Sequence, residues 1–302
     1  MIRKIFSKIN RVIRYDAATW NIGFADCSRE QLIETGRLGK VRWVKHQYKD
    51  SWFADPFILN VTMDEYDILV EEMDIKTNRG KISRMLIDKK SMEIKSLITL
   101  LELPTHLSFP HIISRDGKVY FYPENAEALS LDLYILQPKD NKVEKINTLI
   151  SGERIVDAQM LEMEGRNYIF GTIKPNQSKD TVTVFEADKW NGEYVQIDTF
   201  KVGAVSARGA GEVFEYNGKL IRPSQDSAKG YGNGVLLSEI VYHNGQFLSE
   251  EIRRIYPEKK CRYKNGLHTV NFFKDNLLVI DGYYFNKPFL AWTINKIRKF
   301  FK

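Results

Sequence analysis

At 302 residues, 43% hydrophobic and 12% aromatic, the chain can build one large β domain or two ordinary ones, and it is too apolar to be disordered. Its formal charge of +6 favours anionic partners. The two cysteines, Cys27 and Cys261, form neither a disulfide framework nor a CxxC metal pair, and the chain reads as a reduced, cytoplasmic protein.

Residues 1–16 open with MIRKIFSKINRVIR. Ile2, Ile5, Phe6, Ile9, Val12 and Ile13 fall at helical spacing, with Arg3, Lys4, Lys8, Arg11 and Arg14 on the other face. A cation every few positions breaks the apolar core that a secretory signal needs, and no run approaches the roughly 18 to 20 apolar residues of a membrane span. The strand-like stretch from Val41 to Lys45 is expected to complete the last unit of a closed ring.

A repeat then governs the chain. The stretch SWFADPFIL (51–59) has cousins at 107–113, 155–161, 208–214 and 265–271, each followed by a polar turn and a β-rich run. Phe57, His111, Gln159, Glu212 and Thr269 align at intervals of about 48 to 57 residues, the spacing of propeller blades. The fold class is all-β, a five-bladed β-propeller over 17–288, with blades near 52–87, 108–136, 155–185, 208–241 and 267–284. Ser224 to Gly234 is polar and Gly-rich, the character of a binding loop held on a rigid scaffold. Residues 289–302 repeat the basic amphipathic pattern, Ile294, Ile297, Phe300 and Phe301 alternating with Lys296, Arg298, Lys299 and Lys302. Two such terminal helices suit an anionic membrane surface, each cation there being worth about 1 kcal/mol. Nucleic acid is disfavoured, because the positive charge gathers at the ends rather than among aromatic platforms.

In a propeller the first strand of each blade lines the central channel, so equivalent positions converge. That places Asp55, His111, Asp157, Glu212 and His268 around one axis. Buried charges of this kind require partners, a metal or a function. A solvated, salt-bridged lining without chemistry is the plain alternative. Paired carboxylates carry glycosyl chemistry, one acting on the attacking oxygen and the other protonating the leaving oxygen, and a third raises the acid's pKa. Glu124, Arg208, Arg222, Gln225, Asp226 and Asp281 lie near strand ends as candidate substrate-binding groups, beside His111 and His268.

The pattern of Asp on blade one, Asp on blade three and Glu on blade four resembles the furanosidase-type glycosidases of glycoside hydrolase families 32 and 43. That resemblance implies Asp55 as base, Asp157 as orienter and Glu212 as acid, with His268 matching a histidine often found near a bound ion. The stretches FADPF (53–57), LSFPHI (107–112), YFYPEN (120–125), RGAG (208–211) and LIRPSQD (220–226) are more similar to the N-terminal propeller domain of plant glucosamine inositolphosphorylceramide transferases and its stand-alone bacterial relatives.

The expected function is a glycosyltransferase of surface polysaccharide or glycolipid assembly, peripheral on the inner face of the membrane. Its partners would be an activated sugar donor and a glycan or lipid-linked acceptor, with Arg208 and Arg222 meeting a donor phosphate. A furanosidase-type hydrolase and a non-catalytic glycan- or protein-binding propeller stand as alternatives. No metal ligand set is assigned, and a divalent ion near His268 stays open, since one histidine among carboxylates is a poor set.

Overall fold

The structure, a computed structural model, describes residues 18–174, 179–203 and 205–286. The two terminal amphipathic helices expected from the sequence lie outside these residues. Strand β1 (Ala18–Asp26) leads into a short helix α1 (Arg29–Thr35) and strand β2 (Val41–Trp43). Four complete blades follow in chain order. Blade one is β3 (Ser51–Val61), β4 (Glu65–Asp74), β5 (Arg79–Asp88) and β6 (Ile94–Leu101). Blade two is β7 (Ser108–Arg115), β8 (Lys118–Glu124), β9 (Ser130–Gln137) and β10 (Lys142–Ser151). Blade three is β11 (Ile155–Met163), β12 (Arg166–Ile173), β13 (Thr181–Ala187) and β14 (Val195–Lys201). Blade four is β15 (Phe214–Tyr216), β16 (Lys219–Asp226), β17 (Gly234–His243) and β18 (Gln246–Ile255).

The fifth blade closes the ring with strands from both ends of the chain. Its order is β19 (Val270–Phe273), β20 (Leu277–Phe285), β1 and β2. The N-terminal segment therefore contributes two strands, not the single strand 41–45 expected from the sequence. β1 pairs with β20 along its whole length, from Ala18↔Phe285 to Asp26↔Leu277. It is buried on both faces between neighbouring blades, so it lacks the alternation that reveals a half-exposed strand. The outer strands β6, β10, β14 and β18 carry alternating or mostly exposed patterns, and all four fall beyond the blade ranges expected from the sequence.

The repeat's polar turns are tight hairpins. Asp116-Gly117, Glu164-Gly165, Asn217-Gly218 and Asn244-Gly245 all have both residues at positive φ, the geometry that matches the twist of the flanking strands. Apolar packing divides into clusters between blades. Ile22, Phe24 and Val279 of the closing blade meet Phe53, Ile68 and Val70 of blade one. Phe57 and Leu69 meet Phe109 and Phe121 of blade two. α1 is capped by Ser28, whose hydroxyl accepts from the Gln31 N–H at 3.0 Å, and ends at Gly36 in the left-handed conformation. It buries Leu32 and Ile33 against Phe214, Ile221 and Leu278. No helix among the described residues is long and apolar enough to cross a membrane.

A kink recurs near the channel end of the inner strands. Asp55, Phe109 and Asp157 have φ of 48°, 47° and 47°, and each lies in a register shift against the second strand of its blade. Asp55 therefore sits within β3, five residues in. In blade four the chain passes this level as Gly209-Ala210-Gly211 before β15 begins. Gly211 has φ of 132°, and a Cβ there would stand 1.9 Å from the Val270 carbonyl oxygen. Gly211→Ala should therefore strain both the backbone and the seam between blades four and five, destabilising the protein by roughly 3 kcal/mol or more. Urea unfolding of the purified variant checks this. A midpoint equal to that of the wild type would show that the seam yields freely.

Candidate active site

The kink turns the Asp55 and Asp157 side chains across the seams to adjacent blades. The Asp55 carboxylate accepts the Thr269 hydroxyl at 2.6 Å and the Phe109 N–H at 3.2 Å, while the Asp55 N–H donates to Asp281 Oδ2 at 3.2 Å. Blade one is thus tied to blades two and five through one residue. Asp281 also accepts the N–H groups of His268 and Thr269, at 2.9 and 3.0 Å, and its other oxygen lies 2.5 Å from His268 Nδ1. Burial alone would lower the pKa of His268, but Asp281 and Asp55 override it and raise it. Trp20 stacks on the His268 ring at 4.0 Å, and Tyr231 meets the same ring edge-on at 5.4 Å.

The second half of the site is built around Asp157. Arg208 clamps it through Nε and Nη2, and Gln225 donates to it at 3.3 Å. The Asp157 N–H donates to Glu124 Oε2 at 3.2 Å, and Arg208 Nη2 stands 3.7 Å from the same oxygen. The Arg208 guanidinium also lies 5.4 Å from the centre of the Tyr231 ring, which joins the two halves. Burial pushes Glu124 up to about 7, and the Asp157 charge adds to it against the pull of Arg208. Burial likewise raises Asp55 to about 6, with Asp281 and Asp157 adding and His268 and Thr269 opposing. One buried cluster at the centre of the ring therefore holds two carboxyls raised toward neutrality, with Asp157 in electrostatic reach of both.

Of the residues singled out in the sequence, Asp55, Glu124, Asp157, Arg208, Gln225, His268 and Asp281 come together here. Glu212 and His111 do not join them. They line a separate cavity lower in the channel, with Met160 and Trp190. Glu212 lies two residues beyond the kink level, before β15, and its N–H donates to Asn271 Oδ1 at 2.7 Å. Burial pushes its carboxyl to about 7, and Arg29 is the charge that opposes this, not a group of the buried cluster. Burial takes His111 down to about 3, keeping it neutral against the parallel ring of Tyr122 at 4.8 Å.

Arg222 is fully buried and donates to the Ala207 carbonyl at 2.5 Å; burial lowers it to about 10. Asp226 turns outward to Arg254 at 3.0 Å and Tyr256 at 2.7 Å. Ser224 to Asp226 belong to β16, so the connecting loop is shorter than the stretch 224–234 read from the sequence. Three parts of the cluster escaped the sequence reading as site residues: Trp20, Tyr231 and Thr269. Tyr231 left a signal as the one aromatic residue in that Gly-rich stretch, and Thr269 as the blade-five member of the aligned repeat.

Asp55, His268 and Asp281 offer ligand atoms within 4.8 Å of one another. Those atoms are spent on each other, on Thr269 and on backbone N–H groups. A cation bound there would displace the proton between His268 Nδ1 and Asp281, as metal binding ordinarily does, so the three residues could hold one.

The family model described as glucosamine inositolphosphorylceramide transferase 1, N-terminal, matches residues 40–270. The chain belongs to this family. Among its relatives, glucosamine inositolphosphorylceramide transferase 1 of Arabidopsis thaliana is 28% identical over 199 residues, covering 63% of this chain and 26% of the plant protein. The enzyme of the same name from Oryza sativa subsp. japonica is 25% identical over 205 residues, 64% of this chain and 27% of its own length. The chain thus spans about a quarter of these relatives. Among solved structures, an exo-β-1,3-galactanase from Clostridium thermocellum superposes with a TM-score of 0.52 at 11% identity, over 75% of this chain and 58% of that one. A glycoside hydrolase family 43 β-1,3-galactosidase bound to galactodeoxynojirimycin gives 0.52 at 10% identity, over 71% and 81%. These two likenesses show the propeller fold.

Glu212 offers a stability test. Its folded pKa of about 7 stands above the ordinary 4.5, so its contribution is fully present below pH 4.5 and lost as pH rises through about 7. An amide cannot titrate. Glu212→Gln should flatten the Tm profile across that window and be the more stable protein at pH 8, by on the order of 1 to 3 kcal/mol. Parallel Tm profiles for the two proteins would place the carboxylate in free contact with water.

Proposed function

We propose that the chain is a carbohydrate-active enzyme that transfers a glycosyl group at the buried cluster. The observation that carries this reading is the pair of buried carboxyls Asp55 and Glu124, both titrating near neutrality, on either side of Asp157. Asp55, the more acidic, serves as base toward the acceptor hydroxyl. Glu124, the less acidic, holds the proton that the leaving oxygen needs. Asp157, clamped by Arg208 and Gln225, orients Glu124 through its own N–H and raises its pKa. Glu124 takes the acid role because Glu212 faces the lower cavity. Tyr231, half-buried beside His268 and Arg208, supplies an aromatic ring for a sugar to pack on.

Membership of a family named for a glycosyltransferase supports transfer to an acceptor other than water, with an activated sugar as donor and a glycolipid or glycan hydroxyl as acceptor. The reading is tested with purified protein, a panel of nucleotide-activated and phosphate-activated sugars, and a membrane lipid extract. Donor consumption should depend on the extract and fall at least a hundredfold in Asp55→Asn and in Glu124→Gln. Cleavage of aryl glycosides without donor consumption would make the protein a hydrolase. Inactivity in both assays would leave a binding propeller.

The pH dependence follows from the two carboxyls. Asp55 must be ionised, so kcat/KM should rise through about pH 6. Glu124 must be protonated, so it should fall again through about pH 7. In Glu124→Gln the alkaline limb should vanish from the residual activity. An alkaline limb that survives the substitution assigns the acid to another group.

A further inference from the structure

A cavity opens in the seam between the closing blade and blade one. Its volume is about 660 Å³, within the range of small-molecule sites. Its walls are continuous in the chain with the Asp55 cluster. Ser51, which lines it, begins β3 four residues before Asp55. Thr19 and Tyr284, also in its wall, are register partners adjoining the Trp20↔Tyr283 pair, whose rings lie 4.6 Å apart beside His268.

The lining has one chemical character. Lys45, Lys49 and Arg262 bring positive charge, and no carboxylate is among the described residues that line it. Elsewhere the lysines and arginines are extensively paired. Neighbouring Asp50, for example, takes Lys76 at 2.7 Å. Among the described residues Lys45, Lys49 and Arg262 pair with no carboxylate. Arg262 is held in place by aromatic groups, its guanidinium 4.2 Å from the Tyr284 ring centre and Nη2 donating to the Tyr284 hydroxyl at 2.5 Å.

The wall behind it is built, not incidental. Asn21 donates to the Tyr263 hydroxyl and to the Val44 carbonyl, both at 2.7 Å, and Tyr263 packs on Trp43 at 4.1 Å. His46 lies against Phe53, its Nδ1 buried with no partner. Three cations that pair with no carboxylate among the described residues, together with several aromatic side chains, form a site suited to an anion attached to a ring.

The glycosyl-transfer reading requires a place for a phosphate. The two arginines expected from the sequence to supply it are committed, Arg208 to Asp157 and Glu124 and Arg222 to a backbone carbonyl deep in blade four. We infer that the cavity between the closing blade and blade one binds a phosphate ester of a ring-bearing alcohol: Lys45, Lys49 and Arg262 take the phosphate and the tyrosines the ring. The inference rests on the glycosyl-transfer reading for the choice of ligand and on the cavity itself for the site. The same chemistry belongs to a soluble sugar or nucleoside phosphate and to an inositol-phosphate lipid headgroup.

Calorimetric titration with uridine diphosphate and glucose 1-phosphate, beside co-sedimentation with phosphatidylcholine vesicles with and without phosphatidylinositol, tests it and separates the two sources. At least one probe should bind saturably. Lys49→Ala and Arg262→Ala should each weaken that binding about tenfold, as expected for loss of a charge-assisted contact. Asp55→Asn should bind as the wild type does, so loss of transfer with binding intact bears on the catalytic reading alone. Should Arg262→Ala unfold by circular dichroism, Lys45→Ala joins Lys49→Ala as the second variant, both side chains being at the surface. Failure of all the probes to bind, affinity unchanged in the lysine variants, or binding abolished by Asp55→Asn overturns the inference.

Discussion

Every blade is joined to the next by a polar bond made at the level where the inner strands kink, and the rest of the molecule depends on that ring of bonds. Asp55 reaches blade two through the Phe109 N–H, Glu124 reaches blade three through the Asp157 N–H, and Gln159 reaches blade four through the Gly211 carbonyl at 2.6 Å. Asn271 then links blade five to blade four through the Glu212 N–H, and to blade one through the Pro56 carbonyl at 2.8 Å. Leaving any of the buried partners unpaired would cost about 1 to 3 kcal/mol, so the ring is specified as well as closed.

The same constraint makes the site. A residue in the left-handed conformation projects its side chain across the seam instead of along the channel, and aspartate tolerates that conformation better than most residues. At Asp55 and Asp157 this carries a carboxylate into a dry, charged neighbourhood. At Phe109 it delivers an apolar ring to the packing between blades one and two. Burial close to other acids then moves Asp55 and Glu124 toward neutrality. The bonds that close the propeller and those that tune the carboxyls are largely the same bonds. Substitutions in the cluster should therefore be read with stability and activity measured together.

Much of the fold was legible in the chain. The repeat at Phe57, His111, Gln159, Glu212 and Thr269 pointed to five blades, each unit followed by a polar turn and a β-rich run. The tight equivalence of Asp55 and Asp157 was also visible. The neighbour of Asp157 was harder to read. Alignment placed Glu212 with Phe57, His111 and Gln159, and those positions point lower in the channel than the two aspartates. Glu124 ends a second strand, so no inner-strand pattern singles it out as the neighbour of Asp157.

The sequence by itself determined the number of blades, the all-β class and most of the polar groups at the axis, since each of these is written in local spacing. Only the tertiary structure decided which of them meet. β1 entered the closing blade because its partner β20 lies more than 250 residues away in the chain, and Trp20 thereby came to rest on His268. Arg222 and Asp226 are engaged elsewhere, Arg222 by the Ala207 carbonyl and Asp226 by Arg254 and Tyr256. The cavity carrying Lys49 and Arg262 joins segments from opposite ends of the chain. Its acid-free lining is a property of closure, since no single stretch of sequence contains it.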